Sequence, residues 1–230
     1  MKVRMGSKTA VVLGGTGSIG KGIVRALAKC PQYEKVTLIL RKTMDLPASD
    51  GDSNYSKFEQ KSMDFEKIPE HADLFKDFDV GFYAIGVSSA SVSETMYRKI
   101  ELDNALALAK MMKDGDCKDV HWVTGRGTNK SSWFLFGKVK GQVEESVGQM
   151  GFKRCSFYRP GGVMTSDNSG HLGPKIAFVM KAIDFRNTLT IQADLLGEVI
   201  VANSLNNEAK KPVEILENPE MIKIGKALSK

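Results

Sequence analysis

A short apolar run that leads at once into a glycine-rich turn is the feature that most constrains the fold of this 230-residue chain. Residues 9–20 read TAVVLGGTGSIG, and helix-forming residues follow them. This order predicts a strand, a tight turn and the N-terminus of a helix. Backbone N–H groups and the helix dipole at such a terminus both attract an anion, so the pattern indicates a site for a dinucleotide pyrophosphate.

The glycines of the turn are spaced G-x-x-G-x-x-G, at Gly14, Gly17 and Gly20. We expect Gly14 to permit the tight turn, Gly17 to let the backbone approach the phosphates, and Gly20 to let the helix lie close to the sheet. An ordinary glycine-rich turn is the alternative, but the strand before the turn and the amphipathic helix after it favour a cofactor. The residues predicted to bind it here are Gly14, Thr16, Gly17, Ser18, Ile19 and Gly20.

The composition is that of a globular protein, with 42% hydrophobic and 26% charged residues, and no apolar run approaches the length of a membrane span. The three cysteines lack a C-x-x-C spacing and the histidines are far apart, so we expect reduced thiols, a cytoplasmic protein and no metal site. The net charge of +6 would suit nucleic acid, but the basic residues are scattered. A solvated basic surface that favours an anionic cofactor is the simpler interpretation.

Strand-like runs alternate with helical patterns, which predicts an α/β fold with a Rossmann-like, doubly wound parallel sheet. Runs without polar alternation indicate strands covered on both faces. The predicted strands are 10–13, 35–40, 58–63, 80–85, 120–123 and 156–158, with a short strand entering a helix at 191–196 and a last strand at 213–216.

Two long helices are predicted at about 93–112 and 133–150, and a mobile surface loop at 45–55. We expect a single domain over residues 1–230, with a small C-terminal substrate-side portion from about residue 164. Residues 165–185 should form the lip of the substrate site.

The end of the second predicted strand indicates which nicotinamide cofactor binds. An NAD site places an acidic residue there for the ribose 2′-hydroxyl, whereas an NADP site uses basic groups for the 2′-phosphate. Here Arg41 and Lys42 end the strand, with no acid before Asp45. A solvated basic pair is the alternative, but a guanidinium suits phosphate well and the glycine turn favours NADP, bound as NADPH.

Two other strand ends are candidates by position alone, and packing at a strand end is the alternative for both. We expect Asp64 and Phe65 to border the adenine, and Ala84, Ile85 and Gly86 to let the cofactor ribose approach.

Several stretches after Met63 carry a family resemblance. They are DFEK at 64–67, DVGF at 79–82, CK at 117–118, NKSS at 129–132, VKGQVE at 139–144 and FYRPG at 157–161, with a looser match at 213–218. They resemble the Tat-interacting protein family of atypical short-chain dehydrogenases/reductases. The resemblance implies a Rossmann-like domain that binds NADPH, and a turn after the sixth strand that closes over the nicotinamide with Pro160, Gly161 and Val163. The proline fixes this turn, and the glycines should leave room for the ring.

The resemblance also implies a Tyr-x-x-x-Lys pair, of which this chain carries only the lysine. In the family the tyrosine gives a proton to the substrate carbonyl, the lysine holds the nicotinamide ribose, and a serine after the fifth strand orients the carbonyl. Here the pair reads Phe136 and Lys140, and the serine positions read Thr124 and Gly125. Loss of a general acid typically costs about 10²–10⁴ in rate.

Three functions stay open on this reasoning. The first is a weak NADPH-dependent reductase of a small carbonyl compound, in which Lys140 and Thr124, with Ser131 or Ser132, compensate for the missing tyrosine. The second is a catalytically inactive NADPH-binding regulatory or adaptor protein with a protein partner, in which the fold persists and the chemistry is lost. For the single residues, the alternatives are that Phe136 only extends an apolar stripe at helical spacing and that Lys140 is solvated. The third is a nucleotide-sugar epimerase or isomerase, which is disfavoured because this chain lacks both the tyrosine and a large C-terminal region.

Overall fold

The computed structural model describes residues 7–165, 189–206 and 211–228. Except for Thr165, the predicted substrate lip lies outside these residues. The strands are β1 (Lys8–Leu13), β2 (Tyr33–Leu40), β3 (Phe58–Ser62), β4 (Val80–Tyr83), β5 (Asp119–Val123), β6 (Arg154–Arg159), β7 (Gly162–Met164), β8 (Thr190–Gln192) and β9 (Val213–Glu217).

The helices flank these strands in chain order. They are α1 (Ser18–Ala28), α2 (Glu94–Arg98), α3 (Asn104–Asp114), α4 (Leu135–Gly148), α5 (Ala193–Ser204) and α6 (Asn218–Leu228). A 3₁₀ segment covers Ile68–Phe75, and a π turn at Lys99–Asp103 joins α2 to α3. The helix predicted at 93–112 is therefore present as one helical run over 94–114 that contains the π turn, and the helix predicted at 133–150 begins and ends two residues inside its predicted bounds.

Seven strands form one parallel sheet in the order β3-β2-β1-β4-β5-β6-β9, and β7 pairs with β8 separately. The predicted Rossmann-like α/β fold is confirmed. The order reverses between β1 and β4, because the chain first moves outward through β2 and β3 and then returns to the other side of β1. Ligands bind in this class of sheet at the carboxyl ends of the strands flanking such a reversal.

Both faces of the sheet are covered, as the apolar strand runs predict. Along β1, Ala10 and Val12 belong to the first core cluster, which lies around Ile23 and Leu196. Val11 and Leu13 belong to the second core cluster on the opposite face. The segment predicted as a loop at 45–55 has no helix or strand, but Leu46 and Tyr55 pack against the first cluster.

Helices α1 and α5 cross at very short range through two glycines. A Cβ atom on Gly22 would overlap the carbonyl of Ala193, and one on Gly197 would overlap the backbone of Gly22. This contact joins the glycine turn and α1 to the C-terminal part of the chain.

A buried histidine makes the stability of the fold depend on pH. His121 on β5 is fully buried, its Nδ1 lies 2.8 Å from the Tyr158 hydroxyl oxygen, and its ring stacks on Phe82 at a centroid distance of 5.5 Å. Burial, followed by the charges of Arg154 and Lys8, lowers the pKa of His121 well below its ordinary value.

Because only the unfolded chain then binds a proton at this residue near pH 6, acid favours unfolding. We expect the free energy of unfolding to fall by up to about 1.4 kcal/mol per pH unit from this group as the pH drops below about 6.5. His121→Phe should flatten that slope. Denaturant unfolding at several pH values measures it, and an unchanged slope in the variant would assign the pH dependence to other groups.

Candidate functional site

A cavity of about 590 Å³ lies at the carboxyl ends of β1, β4, β5 and β6. It lies at the reversal of strand order, and its volume is ordinary for a small-molecule site. Eleven of the predicted site residues line it: Gly17, Ser18, Ile19, Ala84, Ile85, Gly86, Thr124, Lys140, Pro160, Gly161 and Val163. Phe136, Gly125 and Arg126 also line it, as does Glu101, which the sequence analysis missed.

The three glycines of the turn differ in how closely the surrounding backbone packs against them. Gly14 has a φ of +87°, and a Cβ atom there would lie 2.6 Å from the carbonyl carbon of Ala84. A Cβ atom on Gly20 would overlap the carbonyl group of Gly14. Gly17 is extended, and its Cβ would meet only the Gly14 oxygen, at 3.5 Å. Packing within the turn therefore requires Gly14 and Gly20, whereas only a ligand close to the backbone would require Gly17.

Lys140 is buried and paired. Its Nζ donates a hydrogen bond of 2.6 Å to Oε2 of Glu101, and the two residues are 5% and 2% exposed. The other carboxylate oxygen of Glu101 accepts a 2.6 Å hydrogen bond from the N–H of Val87, in the loop after β4. The alternative of a solvated Lys140 is therefore wrong.

Thr124 is also held by a carboxylate. Its hydroxyl donates to Oε1 of Glu144 at 2.7 Å, and Glu144 forms a bidentate ion pair with Arg159 through contacts of 3.0 and 2.5 Å. The hydroxyl hydrogen is thus directed at Glu144, and Thr124 would have to turn away from it to donate to a substrate carbonyl.

Phe136 lies on the wall of the cavity, one turn before Lys140 on α4. Val143 and Val147 of the same helix join the second core cluster, whereas Phe136 belongs to neither cluster. A Cβ atom on Gly125 would lie 2.6 Å from Cζ of Phe136 and 3.5 and 3.6 Å from the two Cε atoms. The ring axis therefore points at residue 125, and a side chain there would compete for space with a hydroxyl on residue 136.

Gly161, in the turn after β6, lines the cavity and is also closely packed on its other side. A Cβ atom at this residue would overlap the carbonyl of Leu189, because β8 approaches the turn from the other side. The N–H of Gly161 donates to Oδ1 of Asn218 at 3.0 Å, and the Pro160 carbonyl accepts from the N–H of Arg126 at 2.8 Å. Glycine is needed at residue 161 for packing, a reason that the sequence analysis did not foresee.

Seven predicted cofactor residues do not line the cavity: Gly14, Thr16, Gly20, Arg41, Lys42, Asp64 and Phe65. Arg41 and Lys42 are exposed after the end of β2. Asp64 is exposed and accepts the N–H of Glu66 at 2.9 Å, while Phe65 packs against the second core cluster. The last four of the seven residues follow β2 and β3, so they lie beyond β1 on the side away from β4.

Ser131 and Ser132 also lie outside the lining of the cavity. Ser131 is exposed, and Oγ of Ser132 accepts the N–H of Phe134 at 3.1 Å, just before α4. The hypothesis that either serine compensates for the missing tyrosine finds no support in this placement.

The described residues contain no group of three or more His, Cys, Asp or Glu residues that could hold a metal ion. Cys30, Cys117 and Cys155 are buried free thiols. No helix within the described ranges is long and apolar enough to cross a membrane.

Solved structures share the fold over nearly the whole chain. The oxidoreductase ylbE from Lactococcus lactis aligns with a TM-score of 0.67 at 13% identity, covering 96% of each chain. MoeE5, solved in complex with UDP-glucose and NAD, aligns with a TM-score of 0.67 at 11% identity and covers 96% of this chain and 82% of its own. At such identities the likeness establishes the Rossmann-like fold alone.

Two proteins are similar to this chain in sequence over nearly its whole length. The protein HTATIP2 of Rattus norvegicus is 29% identical over 227 residues, which cover 97% of this chain and 91% of the relative. The mitochondrial protein FMP52 of Saccharomyces cerevisiae is 28% identical over 236 residues, covering 96% and 97%. No family model matches the chain. By fold and by relatives, the chain is a Rossmann-like α/β protein that is similar to HTATIP2 and FMP52. Within that class, its resemblance to the Tat-interacting protein family is confirmed.

Proposed function

We propose that this protein binds NADPH in the cavity and reduces small carbonyl compounds slowly. The observation that carries the proposal is the convergence of the glycine turn, the end of β4, Lys140 and the turn after β6 on one cavity at the strand-order reversal. The resemblance to oxidoreductases of the short-chain class supports the reaction type.

The residues present fit a dinucleotide. The N-terminus of α1, with Gly17 as its N-cap, would hold the pyrophosphate, since no side chain caps that terminus and glycine is not needed there for packing. Lys140, with Glu101, would face the ribose next to the nicotinamide. A dihydronicotinamide supplies a hydride to the substrate carbonyl carbon. NAD is bound in MoeE5, which has the same fold.

The preference for NADPH should depend on Arg41. Its exposed guanidinium at the end of β2 would pair with the 2′-phosphate, which NADH lacks. We expect Arg41→Ala to remove most of the difference in Kd between NADPH and NADH, and to leave the Kd for NADH unchanged. Isothermal titration with each cofactor measures both values.

Arg98→Ala is a matched control, because Arg98 pairs with Glu94 on α2 and does not line the cavity. This control should keep the wild-type preference. Equal affinities for the two cofactors in the wild-type protein would contradict the NADP assignment.

A second function, NADPH binding without catalysis, is favoured by a specific observation. The two side chains predicted to act on the carbonyl, Thr124 and Lys140, are both held by buried carboxylates, and Phe136 has no proton to give. Such a protein would serve as a regulator or adaptor for a protein partner. Tight NADPH binding with no turnover of any carbonyl substrate would distinguish it from the reductase.

The division of the chain and its location are further parts of the proposal. The small β7–β8 pair lies beside the cavity, with Val163 and Leu189 in the lining, which supports a substrate-side portion from about residue 164. We expect a cytoplasmic protein, in which buried thiols stay reduced. The relative FMP52 is mitochondrial, so fractionation of cells that express the full-length protein should examine both compartments.

A further inference from the structure

Few side chains in the cavity can release a proton. Among the described lining residues, the side chains with exchangeable protons are Ser18, Ser88, Ser89, Glu101, Thr124, Arg126 and Lys140. Serine and threonine hydroxyls and the arginine guanidinium do not ionise near neutral pH. The titratable groups on the wall are therefore Glu101 and Lys140.

Two nearby tyrosines do not replace the missing phenol. Tyr83 and Tyr97 are buried, and neither lines the cavity. Burial, followed by the charge of Glu101, raises the pKa of both phenols. A phenol that is buried away from the substrate and harder to ionise does not serve as the acid.

The position of Glu101 depends on the π turn. Segments of this kind inside helices occur frequently at functional sites. From this turn, one carboxylate bonds both the Lys140 ammonium, from α4, and the Val87 N–H, from the loop after β4. Glu101 thus ties together two walls of the cavity and holds the ammonium one helical turn from Phe136.

We infer that Lys140 supplies the proton that Phe136 lacks, and that Glu101 is the positioning residue that holds the ammonium for this purpose. The inference rests on the proposed function. In the balanced step, Lys140 would give an N–H proton to the carbonyl oxygen, while the carbonyl carbon would accept the hydride that a bound dihydronicotinamide would supply and the C=O π electrons would move to oxygen. The products would be the alcohol, the oxidised cofactor and a neutral Lys140 amine, which would regain a proton from water.

Glu101 and Lys140 compensate each other's charge at this depth. The Glu101 carboxylate lies 2.6 Å from Nζ of Lys140, and both residues are buried. Removal of one partner of a buried pair leaves an uncompensated charge, whereas removal of both is often tolerated. The variants used for the rate measurement therefore either remove both charges or keep both.

The test uses two variants of the full-length protein. Glu101→Gln with Lys140→Met removes both charges together. Lys140→Arg keeps the positive charge for Glu101, but a guanidinium does not give up its proton. The matched control is Lys130→Met with Glu145→Gln, because this exposed ion pair involves the same helix, α4, outside the cavity.

We expect the single-turnover rate of carbonyl reduction to fall by about 100-fold in both test variants and to stay at the wild-type value in the control. The wild-type rate should slow in D₂O, since a proton moves in the step. Acetylation of lysines by an amine-reactive reagent, followed by mass spectrometry, gives a readout that needs no turnover. NADPH should protect Lys140. The single variant Glu101→Gln, made for this readout alone and checked for folding, should make Lys140 react faster because its Nζ is no longer held by a carboxylate. Lys138, exposed on α4, should change in neither case.

An unchanged rate in Lys140→Arg, or in the double variant, would overturn the inference. So would a wild-type protein that binds NADPH and reduces no carbonyl compound, although NADPH binding would then stand. Absence of NADPH binding would overturn the proposed function and this inference together. Thermal unfolding of each variant verifies that it is folded, and Lys140→Arg decides the question if the double variant does not fold.

Discussion

Replacing Gly17 with alanine is expected to weaken NADPH binding by at least about 10-fold and to change the free energy of unfolding by only about 0.5 kcal/mol. The backbone at Gly17 has φ −73° and ψ 166°, a conformation that alanine adopts readily. The new methyl group would meet only the Gly14 oxygen, at 3.5 Å. The substitution should therefore weaken NADPH binding more than it changes stability, because the phosphates of the ligand must approach this backbone.

Gly20→Ala should behave in the opposite way. Its Cβ would overlap the carbonyl of Gly14, so the turn or α1 must shift, and we expect a loss of more than about 3 kcal/mol in the free energy of unfolding. Gly51→Ala is a neutral control, because nothing lies within 4 Å of its Cβ.

Denaturant unfolding and NADPH titration of the three variants separate the two effects. If Gly17→Ala bound NADPH as tightly as the wild-type protein, the glycine turn would not be a pyrophosphate site.

Phe136→Tyr is expected to raise the rate of carbonyl reduction by about 10-fold or more. The new phenol would lie on the cavity wall one turn from Lys140, whose ammonium favours the phenolate and so strengthens the acid. The ring must tilt, because its axis points at Gly125 and the hydroxyl would otherwise press against that residue. This adjustment should keep the gain below the full value of a general acid.

Phe134→Tyr is the matched control, since Phe134 is 80% exposed and does not line the cavity. Rates with one panel of aldehydes and quinones at saturating NADPH should rise only in Phe136→Tyr. A variant that is folded and binds NADPH but gains nothing would show that the pocket has lost more than the phenol. A variant that does not fold would show that residue 136 is a packing position.

The sequence predicted well those parts of the structure that are determined by residues close together in the chain. The strand, glycine turn and helix at 9–28 depend on neighbouring residues, and the parallel sheet follows from apolar runs of 4–8 residues. The helical spacing of Phe136 and Lys140 placed them one turn apart, and the structure places both on the cavity wall.

The parts that sequence missed depend on contacts between distant segments. Glu101, in a segment rich in charge, has the local pattern of a solvated residue, but it is buried and bonds the Val87 N–H and Lys140, 39 residues later. Gly161 is required to be glycine by the carbonyl of Leu189, 28 residues later, which occupies the position of a Cβ atom. The contact between Gly125 and Phe136 likewise depends on how α4 lies against the end of β5.

Calorimetric titration of the purified wild-type protein with NADPH is the decisive measurement for the proposed cofactor site. We expect one saturable site with a Kd in the micromolar range, about 1–100 μM, and weaker binding of NADH. Absence of saturable NADPH binding up to about 1 mM would contradict it.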